Sequence, residues 1–220
     1  LPLGDVAASL AEMERAVGDL GALGVQMFSN VRGVPLDHPA LEPLLARVEA
    51  LERMVWLHPT RNATWPDYRT ERESDFGLWW SIGWPYETAA ALGRLVYSGQ
   101  MDRHPRLRVI AHHGGGMVPH FSARFAMGPG YRQTKDDLPL PPLDYFHRFY
   151  ADTALFGAPH AVRCVIDFFG PEHVLFGTDS PLGPPHAIEA TIADLDAAGL
   201  READLSAIYA GNAQRLLGVR

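Results

Sequence analysis

Five short apolar runs with strand-like composition recur along this chain, each closed by a polar or Gly/Pro-rich turn and separated by longer segments of helical periodicity. They are Val25–Phe28, Met54–Leu57, Leu107–Ala111, Phe149–Asp152 and Val174–Gly177. Such alternation specifies βα units, because parallel neighbours need a crossover long enough to return the chain to the same end of the sheet. The periodicity predicts helices over Val6–Leu20, Pro39–Arg53, Glu87–Ser98, Val118–Phe125, Pro159–Phe169 and Ala187–Ala198, then Glu202–Ala210 and Asn212–Leu217. Strand and helix are expected to alternate strictly. Pro159 at a helix start, and Gly99 and Gly170 just past helix ends, are the terminators such segments use.

The 220 residues, 47% hydrophobic and 20% charged, suffice for one buried core and predict a single domain over residues 1–220. The fold class expected is α/β, a (β/α)8 barrel of which the chain carries about the last five units, so that the first three strands are missing. Leu1 leads straight into an amphipathic helix with no preceding strand, and the beginning is expected to be a cut one. A formal net charge of −7 and a pI near 5.8 give no electrostatic basis for binding nucleic acid or anionic membrane. No apolar run approaches the roughly 18 to 20 residues that span a bilayer, and no secretory signal is evident. The single cysteine, Cys164, falls in the apolar-patterned segment 161–169 and is expected to be a reduced, buried thiol in a cytoplasmic protein.

In a parallel barrel the active site forms where strands end and βα loops begin. Three runs end in residues of metal-ligand type: Met54–Leu57 enters His58, Leu107–Ala111 enters His112 and His113, and Val174–Thr178 enters Asp179. Imidazole and carboxylate suit zinc and similar divalent ions. Taken alone, each histidine reads better as a hydrogen-bonded structural residue, but together these strand-end residues point to a metal centre. Gly114, Gly115 and Gly116 allow backbone to approach a ligand closely, and a helix starting at Val118 would turn its amides toward an anion such as a substrate carboxylate. The stretch Arg61–Pro85 carries Trp65, Trp79, Trp80 and Trp84. These aromatics form either a satellite core beneath a long connection or the lining of a substrate pocket. Asp152 is readable as a site residue or as the cap of a turn.

Leu107–Gly116 with Pro119 and Arg124, the string Val174–Pro181, and Gly211–Ala213 resemble the amidohydrolase-2 family, especially its aminocarboxymuconate-semialdehyde decarboxylase-like branch. Gly24–Gln26, Leu57–Pro59, Glu87–Gly99 and Tyr150–Thr153 extend the similarity over most of the chain. The resemblance implies that His58 and Asp179 are metal ligands, with zinc expected and manganese possible. It implies that His113 moves a proton near the metal-bound water, that Asp179 shares in the catalysis, and that Arg124 binds substrate carboxylate, in some members across a dimer interface. Gly114 and Trp84 complete the expected substrate-binding set. A homodimer acting on a small-molecule carboxylate is expected.

One departure bears on activity. The family draws two further ligands from a His-x-His or Glu-x-His motif on its first strand, and this sequence contains neither. A chain complete as given is expected to bind metal weakly and to be poorly active. Thr60 stands where many decarboxylase members have an aromatic. Three functions follow: a metal-dependent non-oxidative decarboxylase of an unsaturated or aromatic acid, a hydrolase of a lactone, ester or amide, or an inactive truncated homologue.

Overall fold

All five apolar runs form strands, and all five pair in parallel. The structure, a computed structural model, describes residues 1–131 and 138–219. Its strands are β1 (Gly24–Phe28), β2 (Asn30–Val31), β3 (Val34–Pro35), β4 (Met54–His58), β5 (Arg108–Ala111), β6 (Tyr150–Asp152) and β7 (Val174–Leu175). The main sheet has the order β1-β4-β5-β6-β7, so each βα unit lies beside the next, while β2 and β3 form a small antiparallel hairpin. β7 stops two residues short of the expected Gly177. Phe176 donates its N–H to Ile208 O, and Gly177 donates its own to the Thr153 hydroxyl, so neither extends the ladder.

The helix Pro159–Phe169 occupies its predicted span, as does Asn212–Leu217. Val6–Glu14 continues as a π turn through Asp19, and Glu202–Ser206 continues likewise through Gly211. The segment expected as Pro39–Arg53 is a 3₁₀ turn, Pro39–Leu41, leading into Glu42–Ala50. The helix predicted from Glu87 begins at Gly83 and ends at Tyr97. Strict alternation does not hold, because the short helices Gln100–Arg103 and Pro142–Phe146 and the β2–β3 hairpin intervene. The helix expected over Val118–Phe125 instead runs Ser122–Tyr131. Gly114, Gly115 and Gly116 all take positive φ, and the chain needs a further run of turns, with Val118 N–H on Gly115 O and Phe121 N–H on Met117 O, before it can wind regularly. The anion corner expected from amides at Val118 is therefore not formed.

Alternation along the strands sorts side chains between two layers. Val25, Met27, Val55, Leu57, Val109, Ala111 and Ala151 face the covering helices and share one core with Leu92, Leu95, Phe146 and Val162. Met54, Ile110 and Leu175 face the other way and pack with Leu216, against which Trp56 and Tyr150 also lie. The same period places His58 on the Met54–Trp56 face and Asp152 on the Tyr150 face, both at the C-terminal end of the sheet. Cys164 is half-buried rather than fully buried, and burial pushes its thiol above the ordinary range. Among the described residues no helix is long and apolar enough to cross a membrane.

Leu57 is fully buried in the layer directly beneath His58. Truncation there leaves a cavity that the packed helices cannot refill, so Leu57→Ala is expected to cost about 2–5 kcal/mol. Urea denaturation should show a lower midpoint with unchanged slope; an unshifted midpoint would mean that this layer is not load-carrying for the sheet.

Candidate metal centre

β4 ends in His58, whose side chain by strand alternation shares the face of Met54 and Trp56. The loop after β5 begins with His112 and His113, and the loop after β7 carries Asp179. His113 and Asp179 both hold positive φ, 56° and 60°, a backbone region that costs a non-glycine residue about 1–3 kcal/mol. One candidate ligand atom from each of His58, His113 and Asp179 lies within 4.8 Å of the other two. That separation lets three donors converge on a single divalent cation.

The imidazoles are fixed in a manner that suits such an ion. His58 Nδ1 meets Pro59 O at 2.7 Å, and His113 Nδ1 meets Ala154 O at 3.2 Å. A carbonyl can only accept, so each Nδ1 carries the proton and each Nε2 is left with a free lone pair. His113 Nε2 is buried and has no hydrogen-bond partner among the described residues. Histidines that ligate metals are commonly anchored in this way through the second ring nitrogen. Burial holds His58 below the ordinary imidazole range, a trend reinforced by His112 and His113 and opposed by the Pro59 carbonyl and Asp179. It therefore stays neutral and able to donate. An orphaned buried nitrogen, two carbonyl-anchored imidazoles and a convergent carboxylate fit a divalent metal.

Beside the cluster lies a cavity of about 220 Å³ lined by Trp80, Trp84, His113, Gly116, Leu155 and Phe156, among others. Trp80 and Phe156 stack at 6.2 Å with rings 20° from parallel, and Trp84 lies nearly parallel to His113 at 6.4 Å. The indole N–H of Trp84 is tied to Arg61 O at 3.0 Å, which fixes the plane of the ring. The tryptophans of the long segment thus divide. Trp80 and Trp84 face this cavity, whereas Trp65 sits with Phe28, Asn30, Arg32 and Arg61 around another.

Two residues expected at the substrate lie elsewhere. Arg124 lines a separate, largely apolar cavity of about 470 Å³ with Tyr86, Met117, Phe121 and Phe125, and its guanidinium sits 5.9 Å from the Phe121 ring. The helix Gly83–Tyr97 divides the two spaces, giving Trp84 to one and Tyr86 to the other. Gly114 is buried, and its N–H is directed to Asp152 Oδ1 at 3.2 Å; Gly116 takes the lining position instead. Phe156 was not legible as a site residue, because nothing in the local sequence marks its positive φ of 60°.

A family model described as amidohydrolase matches residues 1–219. The chain belongs to the amidohydrolase family. It is 32% identical over 183 residues to 2-amino-3-carboxymuconate-6-semialdehyde decarboxylase of Dictyostelium discoideum, covering 82% of this chain and 49% of that protein. It is 34% identical over 241 residues to γ-resorcylate decarboxylase of Rhodococcus jostii, covering 98% and 68% respectively. Among solved amidohydrolase structures, 2,6-dihydroxybenzoate decarboxylase complexed with 2,6-dihydroxybenzoate superposes with a TM-score of 0.85 at 29% identity, over 100% of this chain and 69% of that one. A dihydroxybenzoic acid decarboxylase from Polaromonas with bound manganese and 2-nitroresorcinol gives 0.81 at 29% identity, over 99% and 67%. The five βα units therefore form part of an amidohydrolase-type barrel. The chain spans about half the length of the first curated relatives it matches, 49% and 56%.

The depressed His58 value fixes a pH dependence. Both folded and unfolded chains hold this imidazole neutral at alkaline pH; as pH falls through about 6.5 the unfolded chain takes up the proton first. Metal-free protein should lose stability over the interval from there down to the lower folded value. His58→Asn should flatten that part of the curve of urea midpoint against pH, and an identical slope in both proteins would contradict the assignment.

Proposed function

We propose that this amidohydrolase centre serves a metal-dependent, non-oxidative decarboxylase acting on a monocyclic aromatic or unsaturated acid. The observation that carries the reading is the convergence of His58, His113 and Asp179 beside a small cavity walled by parallel aromatic rings. A cavity of about 220 Å³ is smaller than the roughly 300–1,000 Å³ of pockets for drug-sized ligands and suits one planar ring. Two relatives of known structure or sequence are named for dihydroxybenzoate or resorcylate, which supports the same substrate class.

His58 and Asp179 are the residues that would hold the ion, with His113 beside them. A divalent cation there supplies Lewis acidity and lowers the pKa of bound water. Zinc and manganese both accept this mixed nitrogen and oxygen donor set. Trp84, Trp80 and Phe156 hold the ring flat and keep water from it. His113, anchored at Nδ1 by Ala154, presents a bare Nε2 to the cavity; a proton taken up there from water passes to the ring carbon as the bond to the carboxyl carbon breaks and carbon dioxide leaves. The apolar lining favours that neutral product over the anion it replaces. Arg124 lines the other cavity of its own chain, so its role in carboxylate binding is assigned to a second copy, as the family resemblance implies for a homodimer. A reduced thiol at Cys164 is in keeping with a cytoplasmic setting.

The test uses the full-length protein with hydroxybenzoic acids and carboxylated dienes as substrates and measures carbon dioxide release. Exhaustive chelation should abolish release and added zinc or manganese should restore it. His113→Asn should lower kcat by about 10²- to 10⁴-fold. Turnover that persists through chelation, or lactone ring opening without decarboxylation, would overturn the reading.

A further inference from the structure

The loops after β5 and β6 are joined by one carboxylate to which the reaction above gives no part. Asp152, the last residue of β6, is only 6% exposed. Its Oδ1 accepts the Ala154 N–H at 3.1 Å and the Gly114 N–H at 3.2 Å. Its Oδ2 lies 3.1 Å from His112 Nδ1. Ala154 in turn offers its carbonyl to His113 Nδ1 at 3.2 Å. One side chain thus holds His112 directly and His113 through a single backbone residue.

A turn-capping aspartate needs only the bond to the N–H two residues on. That reading leaves unexplained the two bonds that cross to the β5 loop. It also leaves unexplained the chemistry of His112. With an ionised carboxylate facing Nδ1, that nitrogen must carry the proton, and Nε2 must be bare. His112 Nε2 is buried with no partner among the described residues, and the ring stands edge-on to His58 at 5.3 Å. The position opposite Asp152 is kept small for the same purpose: a Cβ on Gly177 would come within 3.1 Å of the Asp152 Cβ. Burial opposes the ionised state of Asp152, but the His112 hydrogen bond, the two neighbouring imidazoles and the Ala154 N–H together hold its carboxyl below the usual range.

We propose that Asp152 is the positioning residue of this centre, setting the tautomer and ring orientation of His112 and holding the β5 loop so that His113 Nε2 faces His58 and Asp179. His112 then stands behind His58 as a second imidazole with its lone pair turned inward. The consequence for metal affinity rests on the metal-centre reading above; the tautomer does not.

The two are separated by reading each in turn. Histidine-labelled ¹⁵N NMR of metal-free protein, above the imidazole titration range and assigned with His112→Gln, should show His112 protonated at Nδ1. In Asp152→Asn the amide oxygen still accepts from Gly114 and Ala154, but an NH₂ group now faces His112. The ring should switch to the Nε2–H tautomer while His113 keeps its own. Competition against a fluorescent chelator should show affinity for zinc reduced by about 10- to 100-fold, the usual cost of losing an outer partner of a ligand set. Because asparagine caps turns as well as aspartate does, a purely structural Asp152 predicts no change in either reading. An unchanged tautomer, or a switched tautomer with unchanged zinc affinity, would overturn the proposal. Wild-type protein that binds no zinc would instead sink the metal-centre reading, and the tautomer shift alone would then decide the role of Asp152.

Discussion

The site depends on parallel register between strands far apart in sequence. Met54 lies opposite Arg108, Ile110 opposite Tyr150, and Asp152 opposite Leu175. Given that register, the two-residue period of each strand decides which side chains meet at the sheet end. His58 continues the Met54–Trp56 face, His112 follows Ile110, and Asp152 follows Tyr150. A slip of one residue in any pair would send one of them into the helix-facing layer. The buried layer of Val55, Leu57, Val109, Ala111 and Ala151 forbids that slip, because it would place imidazole and carboxylate among aliphatic side chains. Packing energy on one face is what holds the polar groups in place on the other.

Rigid strands bring the residues close, and strained loops aim them. His113, Phe156 and Asp179 are three of the six described non-glycine residues with positive φ, and all three border the proposed cavity or the ligand cluster. Gly114, Gly115 and Gly116 give the β5 loop the left-handed turns it needs, and side chains there would collide with Val165, Phe169 and the Pro85 carbonyl.

Much of this was legible in the sequence, and the limits are physical. The strands could be read because short apolar runs bounded by turn residues have few other uses, and Pro159–Phe169 because proline and glycine fix its two ends. The grouping of His58 and Asp179 could be anticipated because His58 closes a strand and Asp179 follows the apolar run Val174–Gly177 after a single residue. The helix placed at Val118 was misread, since three left-handed glycines delay regular winding to Ser122. Arg124 was assigned to substrate carboxylate by the family resemblance, which carries no information about the helix Gly83–Tyr97 that lies between its cavity and that of Trp84 in this chain. The bond between His112 and Asp152 was hidden for a similar reason: it depends on pairing across forty residues, and neither residue carries a local mark of its partner. Trp65 and Trp84 share a segment and a residue type, and only the fold assigns them to different spaces.

The account stands on His58 and Asp179 meeting at one cation with His113 beside it. The most direct measurement is anomalous diffraction from crystals of the full-length protein grown with manganese. The account predicts one strong peak per chain, within about 2.0–2.2 Å of His58 Nε2 and an Asp179 oxygen, with the His113 ring alongside. A peak elsewhere on the molecule, or His58 and Asp179 turned away from an occupied site, would contradict it.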